Sequence, residues 1–177
     1  SGLLGGHSGD DINKERGNAN ILLGRFLFEQ REQFDPQLFS FEGGNLRNAI
    51  PREAEATIAV NAGSAGDLQQ AAARYAATLK EEFHGSDPDV TFTLTEIPAP
   101  KEKPFTQALR DALTESLVTM PNGVLAMSQE IEGFVESSSN LASVKRDGEV
   151  IVISTSQRSS VESRKAYYSA AVKAVFG

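Results

Sequence analysis

Two periods of apolar spacing run through this chain, and they divide it into helices and strands. Ile21, Leu22, Leu23, Phe26 and Leu27 recur at helical spacing, predicting a first helix over residues 18–32 that Asp35-Pro36 stops. Leu38, Phe39 and Phe41 predict a short strand closed by Gly43-Gly44. Ala54, Ala56, Ile58 and Val60 then alternate with Glu53, Glu55, Thr57 and Ala59, the pattern of a half-buried strand. Ser64-Ala65-Gly66-Asp67 has the spacing of a capping box and opens an alanine-rich helix ending near His84-Gly85. Val90, Phe92 and Leu94 alternate with Thr91, Thr93 and Thr95, predicting a further strand.

The second half repeats part of this order. Pro98, Pro100 and Pro104 mark a linker, and Phe105, Leu109, Ala112 and Leu113 share one face of a third helix. Pro121-Asn122-Gly123 predicts a turn. Two strands over 134–144 and 149–156 are expected to pair through a type I′ turn at Asp147-Gly148. Ser159-Ser160-Val161-Glu162 caps a last helix carrying Val161, Tyr168, Val172 and Val175. The pattern predicts an α+β fold of two ferredoxin-like helix-strand-strand-helix units, residues 1–100 and 101–177. Each has an antiparallel sheet with helices on one face. Residues 90–95 and 134–144 are the strands expected at open edges, where a second copy would pair.

Composition narrows the function. With 177 residues, 40% of them hydrophobic and 23% charged, the chain can build its own core. A net charge of -7 argues against nucleic acid and anionic membrane surfaces as partners. No apolar run is long enough to span a bilayer, and no signal peptide is read at the start. The absence of Cys excludes disulfides, thiolate zinc sites and cysteine nucleophiles, and fits a reducing cytoplasm. A catalytic zinc site could be assembled only by joining the two histidines, His7 and His84, to a carboxylate.

Few residues carry candidate chemistry. His7 lies among Gly5, Gly6 and Gly9, an exposed imidazole that can donate to a developing oxyanion, or simply a surface histidine. The loop 45–51 holds Asn45 and Asn48; its amides can orient a substrate carbonyl, or they form an Asx turn leading into Pro51. Arg158 follows a strand, where a guanidinium can grip a carboxylate or remain solvated. His84 suits the end of its helix, and the pairs Asp10-Asp11 and Glu81-Glu82 read as solvated faces. The glycines near His7 lack the Lys-Ser or Lys-Thr of a phosphate loop.

Three blocks carry a resemblance. Gly5-Gly6-His7-Ser8-Gly9-Asp10-Asp11-Ile12, Gly17-Asn18-Ala19-Asn20 and Phe41 through Ala54 resemble the M20 family of zinc peptidases, in its aminoacyl-histidine (carnosinase-like) dipeptidase branch. Pro121-Asn122-Gly123-Val124 and Arg158-Ser159-Ser160 extend the likeness over essentially the whole chain. It covers only the lid, or dimerisation, domain inserted into the family's zinc-bearing catalytic domain, whose ligand motifs this chain lacks. The chain therefore looks like an excised lid, with units 1–100 and 101–177, and Ser1 like a tag remnant.

The resemblance implies a cytoplasmic parent that hydrolyses Xaa-His dipeptides with zinc held in its catalytic domain, and no metal in this chain. It implies that His7 stabilises the tetrahedral intermediate, that Asn48 touches substrate, and that Arg158 holds the substrate carboxylate. Ser156-Gln157-Arg158-Ser159 departs from the Asp-x-Arg more usual in M20 lids. The implied partners are the protein's own catalytic domain, a second copy in a homodimer, and a dipeptide substrate. A different class also fits the composition: a stand-alone small-molecule sensor of tandem α+β units. It gives no reason for a histidine between glycines.

Overall fold

A computed structural model describes residues 1–177 and shows an α+β fold built on antiparallel strands. The strands are β1 (Gly6–His7), β2 (Gln37–Gly43), β3 (Ala49–Ile50), β4 (Ala54–Ala59), β5 (Gly123–Met127), β6 (Val135–Asp147) and β7 (Val150–Ser159). The helices are α1 (Ala19–Phe34), α2 (Ala65–Glu82), α3 (Gln107–Thr119) and α4 (Glu162–Ala174). No helix is long and apolar enough to cross a membrane.

Strand β6 organises the molecule. One edge pairs along its length with β7, from Ser137 opposite Ser159 to Asp147 opposite Val150. The other edge is shared end to end: β5 pairs with Val135–Ser139, and β2 meets it at Val144, opposite Gly43. A strand of the second half thus continues the sheet of the first, giving five strands in one sheet with β4 beyond β2. All four helices feed one apolar cluster, with Phe26 from α1, Tyr75 from α2, Leu117 from α3 and Val172 from α4. Leu141 and Val144 of β6 are wholly buried beneath them.

The local chemistry explains the boundaries. Asn18 caps α1, its side chain accepting from the amides of Asn20 and Ile21. Asp35, left-handed at φ 40°, closes the same helix ahead of Pro36. Thr106 caps α3 through Leu109 N–H at 3.2 Å. Arg110, buried on α3, ties this helix to the α1–β2 corner by donating to Asp35 at 2.6 Å and to Pro36 O at 2.9 Å.

Several expectations need correction. Ser64 makes no capping bond, because a 3₁₀ turn over Ala62–Ser64 already places it in helical backbone. The hairpin turns one residue later than expected, with Gly148-Glu149 as its central pair. Only Gly148 has a positive φ, which marks a II′ turn rather than I′. Residues 134–144 are no edge, since β6 is paired on both sides. Residues 90–95 alternate in burial as a strand does, yet their one backbone pairing is Thr91 with Ser1. Strand β5 went unseen in the sequence, because only five residues follow the turn at Asn122 and their burial does not alternate.

Candidate functional site

His7 is held by a two-residue ladder. Strands β1 and β3 pair antiparallel with His7 opposite Ala49, and Ser8 N–H donates to Asn48 O at 2.8 Å. A tight turn comes next, in which Asp11 N–H donates to His7 O at 2.9 Å. The Asp11 carboxylate closes it from the other side, accepting from His7 N–H at 2.8 Å and from Lys14 Nζ at 2.6 Å. These donors, Lys14 foremost, hold the Asp11 carboxyl below the usual carboxylate range. Asp11 is therefore a structural clasp on the histidine backbone, not the solvated charge expected of it.

The imidazole has its own partners. Nδ1 lies 3.0 Å from Asp10 Oδ2, and 3.4 and 3.3 Å from the amide nitrogens of Gly9 and Asp10. The amides require an unprotonated Nδ1 and the carboxylate a protonated one, so both sets cannot be satisfied together. The carboxylate contact is the shorter. In the imidazolium form Nδ1–H serves Asp10 and Nε2–H is free to donate. In the neutral tautomer that accepts from the amides, Nε2 carries the proton as well. Nε2 has no partner within the chain, and the side chain is 38% exposed.

Arg158 arrives from the far end of the sequence. It sits on β7 opposite Ser138, exposed, and enters no salt bridge. A Cβ built at Gly9 would lie 3.2 Å from His7 Cε1 and 3.3 Å from Arg158 Nη1. The imidazole and the guanidinium thus share one bare glycine. Asn48, also exposed, joins them through its backbone bond to Ser8. Strand order thus brings the three sequence candidates into one neighbourhood. His84 is apart, its Nδ1 2.9 Å from Glu81 O at the end of α2.

A buried polar floor lies under this neighbourhood, and sequence reasoning missed it. Ser137, Ser138, Ser139 and Asn140 of β6 are all buried. Asn140 Nδ2 donates to Ala49 O at 2.8 Å, on the residue paired with His7. Asn140 Oδ1 and Ser8 Oγ are buried without a protein partner. The run Ser137-Ser138-Ser139-Asn140, directly ahead of the apolar Leu141 and Ala142, was the available signal. Chemically, the site offers one neutral-or-cationic donor and one permanent cation, suited to a developing oxyanion and a carboxylate. No three His, Asp or Glu side chains converge to hold a metal ion, so the residues present do not fit a zinc site.

The chain is similar to known proteins. Residues 1–87 match the peptidase dimerisation domain of the M20 family. The chain is 39% identical over 166 residues to the cytosol non-specific dipeptidase of Escherichia coli K12, covering 94% of this chain and 34% of that protein. Its fold matches the crystal structure of aminoacylhistidine dipeptidase from Vibrio alginolyticus with a TM-score of 0.95 and 36% identity, over 99% of this chain and 36% of that one. The chain spans about a third of the length of either relative.

Proposed function

Because the chain belongs to the M20 peptidase dimerisation-domain family, we propose that it is the lid and dimerisation domain of a cytoplasmic zinc dipeptidase acting on Xaa-His substrates of the β-Ala-His type. The zinc would be held by a catalytic domain outside residues 1–177. The meeting of His7 and Arg158 at Gly9 carries this reading. A dipeptide has one carboxylate and one scissile carbonyl a few bonds apart. Arg158 would grip the carboxylate bidentately, fixing where the carbonyl sits. His7 Nε2–H would then donate to the oxygen as negative charge develops on it. Asn48, just before β3, would orient the remaining substrate amide. A second copy completes the proposed homodimer.

Kinetics of the longer protein test the assignment. His7→Ala is expected to lower kcat by about 10²–10³ with a small change in KM, because an oxyanion donor acts in the transition state. Arg158→Ala is expected to raise KM for β-Ala-His while sparing substrates whose carboxylate is amidated. Residues 1–177 alone are expected to hydrolyse no dipeptide. An unchanged kcat in the His7 variant would make the residue structural and defeat the reading.

A further inference from the structure

The turn that carries His7 holds a second carboxylate with no task so far. Its ends are tied to each other: Asp11 N–H donates to His7 O at 2.9 Å, and His7 N–H donates to the Asp11 carboxylate at 2.8 Å. A segment clasped at both ends has little freedom between them, so the turn itself fixes where residue 10 stands. Asp10 turns its carboxylate back to the ring, with Oδ2 3.0 Å from His7 Nδ1. The amides of Gly9 and Asp10 reach the same nitrogen from 3.4 and 3.3 Å. Gly9 keeps this edge of the ring bare, since a Cβ there would lie 3.3 Å from Nδ1 and 3.2 Å from Cε1.

These contacts compete for one nitrogen. A carboxylate only accepts, so it requires a proton on Nδ1; an amide N–H only donates, so it requires a lone pair there. The carboxylate is nearer, and a bond to an ionised group is about twice as strong as a neutral one. We propose that Asp10 is a positioning residue for His7: its carboxylate holds the imidazole by Nδ1–H and so decides which ring nitrogen is protonated. Only the catalytic consequence of this rests on the proposed function.

That consequence follows from counting protons. With Asp10 engaged, a neutral ring carries its one proton on Nδ1 and presents a bare Nε2, which cannot donate to an oxyanion. The imidazolium alone has a proton at both nitrogens. The donor that meets the substrate is then cationic, and a cationic donor favours developing negative charge more than a neutral one does. Without the carboxylate, the amides keep the lone pair on Nδ1 and the neutral ring carries Nε2–H. Other charges near the ring are already engaged or stand apart. Asp11 bonds the His7 backbone and pairs with Lys14 at 2.6 Å and Arg16 at 3.7 Å. From β7, Arg158 stands across Gly9. Ala49 of β3 and Ser138 and Asn140 of β6 bring no charge, and Arg47 ahead of β3 is exposed. The Asp10 side chain is 87% exposed, so the pair adds little to folding and acts on the proton instead.

Nitrogen NMR of residues 1–177 tests the assignment. The chain has only two histidines, and His84 is an internal reference, because its Nδ1 faces Glu81 O at 2.9 Å and can only donate there. At about pH 8.5, above the ordinary histidine value of about 6.5, wild-type His7 is expected to show a protonated Nδ1 and a bare Nε2. Asp10→Ala is expected to exchange the two, with the core amide of Phe41 unshifted. A wild-type ring protonated at Nε2, or one ring state in both proteins, overturns the proposal. In the longer protein, kcat of Asp10→Ala relative to wild type is expected to rise at least about fivefold from about pH 6 to about pH 9, because only the variant keeps an Nε2 donor on a neutral ring. A ratio that does not change with pH overturns the catalytic consequence. An unchanged kcat in His7→Ala defeats the proposed function instead and leaves the ring states standing, so the two failures are distinct.

Discussion

His7 and Arg158 meet at a glycine: His7 Cε1 and Arg158 Nη1 lie 3.2 and 3.3 Å from where a side chain at Gly9 would begin. Two separate registers produce this meeting. His7 is set by its pairing with Ala49, and Arg158 by its pairing with Ser138. Gly9 does not have a positive φ, so alanine there strains no backbone and acts only through its methyl. Arg158 is the long, unpaired partner and is the group that yields. Gly9→Ala is expected to change folding stability by less than about 0.5 kcal/mol in urea titration. On the proposed reading it lowers kcat/KM of the longer enzyme by about tenfold or more through misplacement of the cation. An unaltered kcat/KM in Gly9→Ala would show that the pair is not poised around substrate.

Asp87 offers a test of the fold. Its carboxylate is fully buried and accepts from Leu4 N–H at 2.6 Å and from Gly17 N–H at 2.7 Å. These bonds tie the segment before β1 to the entry of α1. Asp87→Ala leaves both donors without acceptors, each worth about 1–3 kcal/mol when buried. The expected loss is about 2–5 kcal/mol in urea unfolding. A loss below about 0.5 kcal/mol would mean that the amides find other partners.

Local sequence signals carry some of this and not the rest. Helices α1, α2 and α3 are legible from their apolar spacing, and Asp35-Pro36 stops α1 as expected, whereas the capping pattern at Ser64 does not cap α2. His7 and Arg158 are legible as chemistry, but their proximity is not: it depends on β6 reaching across both halves, a long-range pairing with no local signature. Asp87 reads as a turn residue beside Pro88, and nothing local says that its oxygens hold two distant amides. The 90–95 run has strand periodicity without strand partners, because periodicity reports burial, not pairing.

Asn140 offers a way to separate positioning from chemistry. Its Nδ2 holds Ala49 O at 2.8 Å, and Ala49 pairs with His7, so Asn140 acts on the imidazole only through backbone. Asn140→Ala is expected to lower stability by about 1 kcal/mol. It is also expected to broaden the His7 ring resonances by loosening the β1–β3 ladder. Asn140→Gln, which keeps the amide, should recover part of both effects. Sharp, unshifted His7 signals in the alanine variant would show that the ladder holds without this bond.

Acid should release the histidine turn through Asp11. Lys14 Nζ and His7 N–H both bond its carboxylate, and Arg16 Nη1 lies 3.7 Å away, so the folded protein favours the charged form and holds the carboxyl below its ordinary value. Linkage gives the sign. Stabilisation by Asp11 is complete above the unfolded value near about 3.9 and is lost as pH falls through the lower folded value. The amide of His7 is expected to keep its chemical shift and protection down to about pH 4, then lose both as acid is added further. Asp11→Asn keeps an acceptor for His7 N–H but discards the charge that Lys14 and Arg16 attract. Its turn should be looser at neutral pH and show no further acid step. A His7 amide that titrates identically in both proteins would assign the acid transition to another carboxylate.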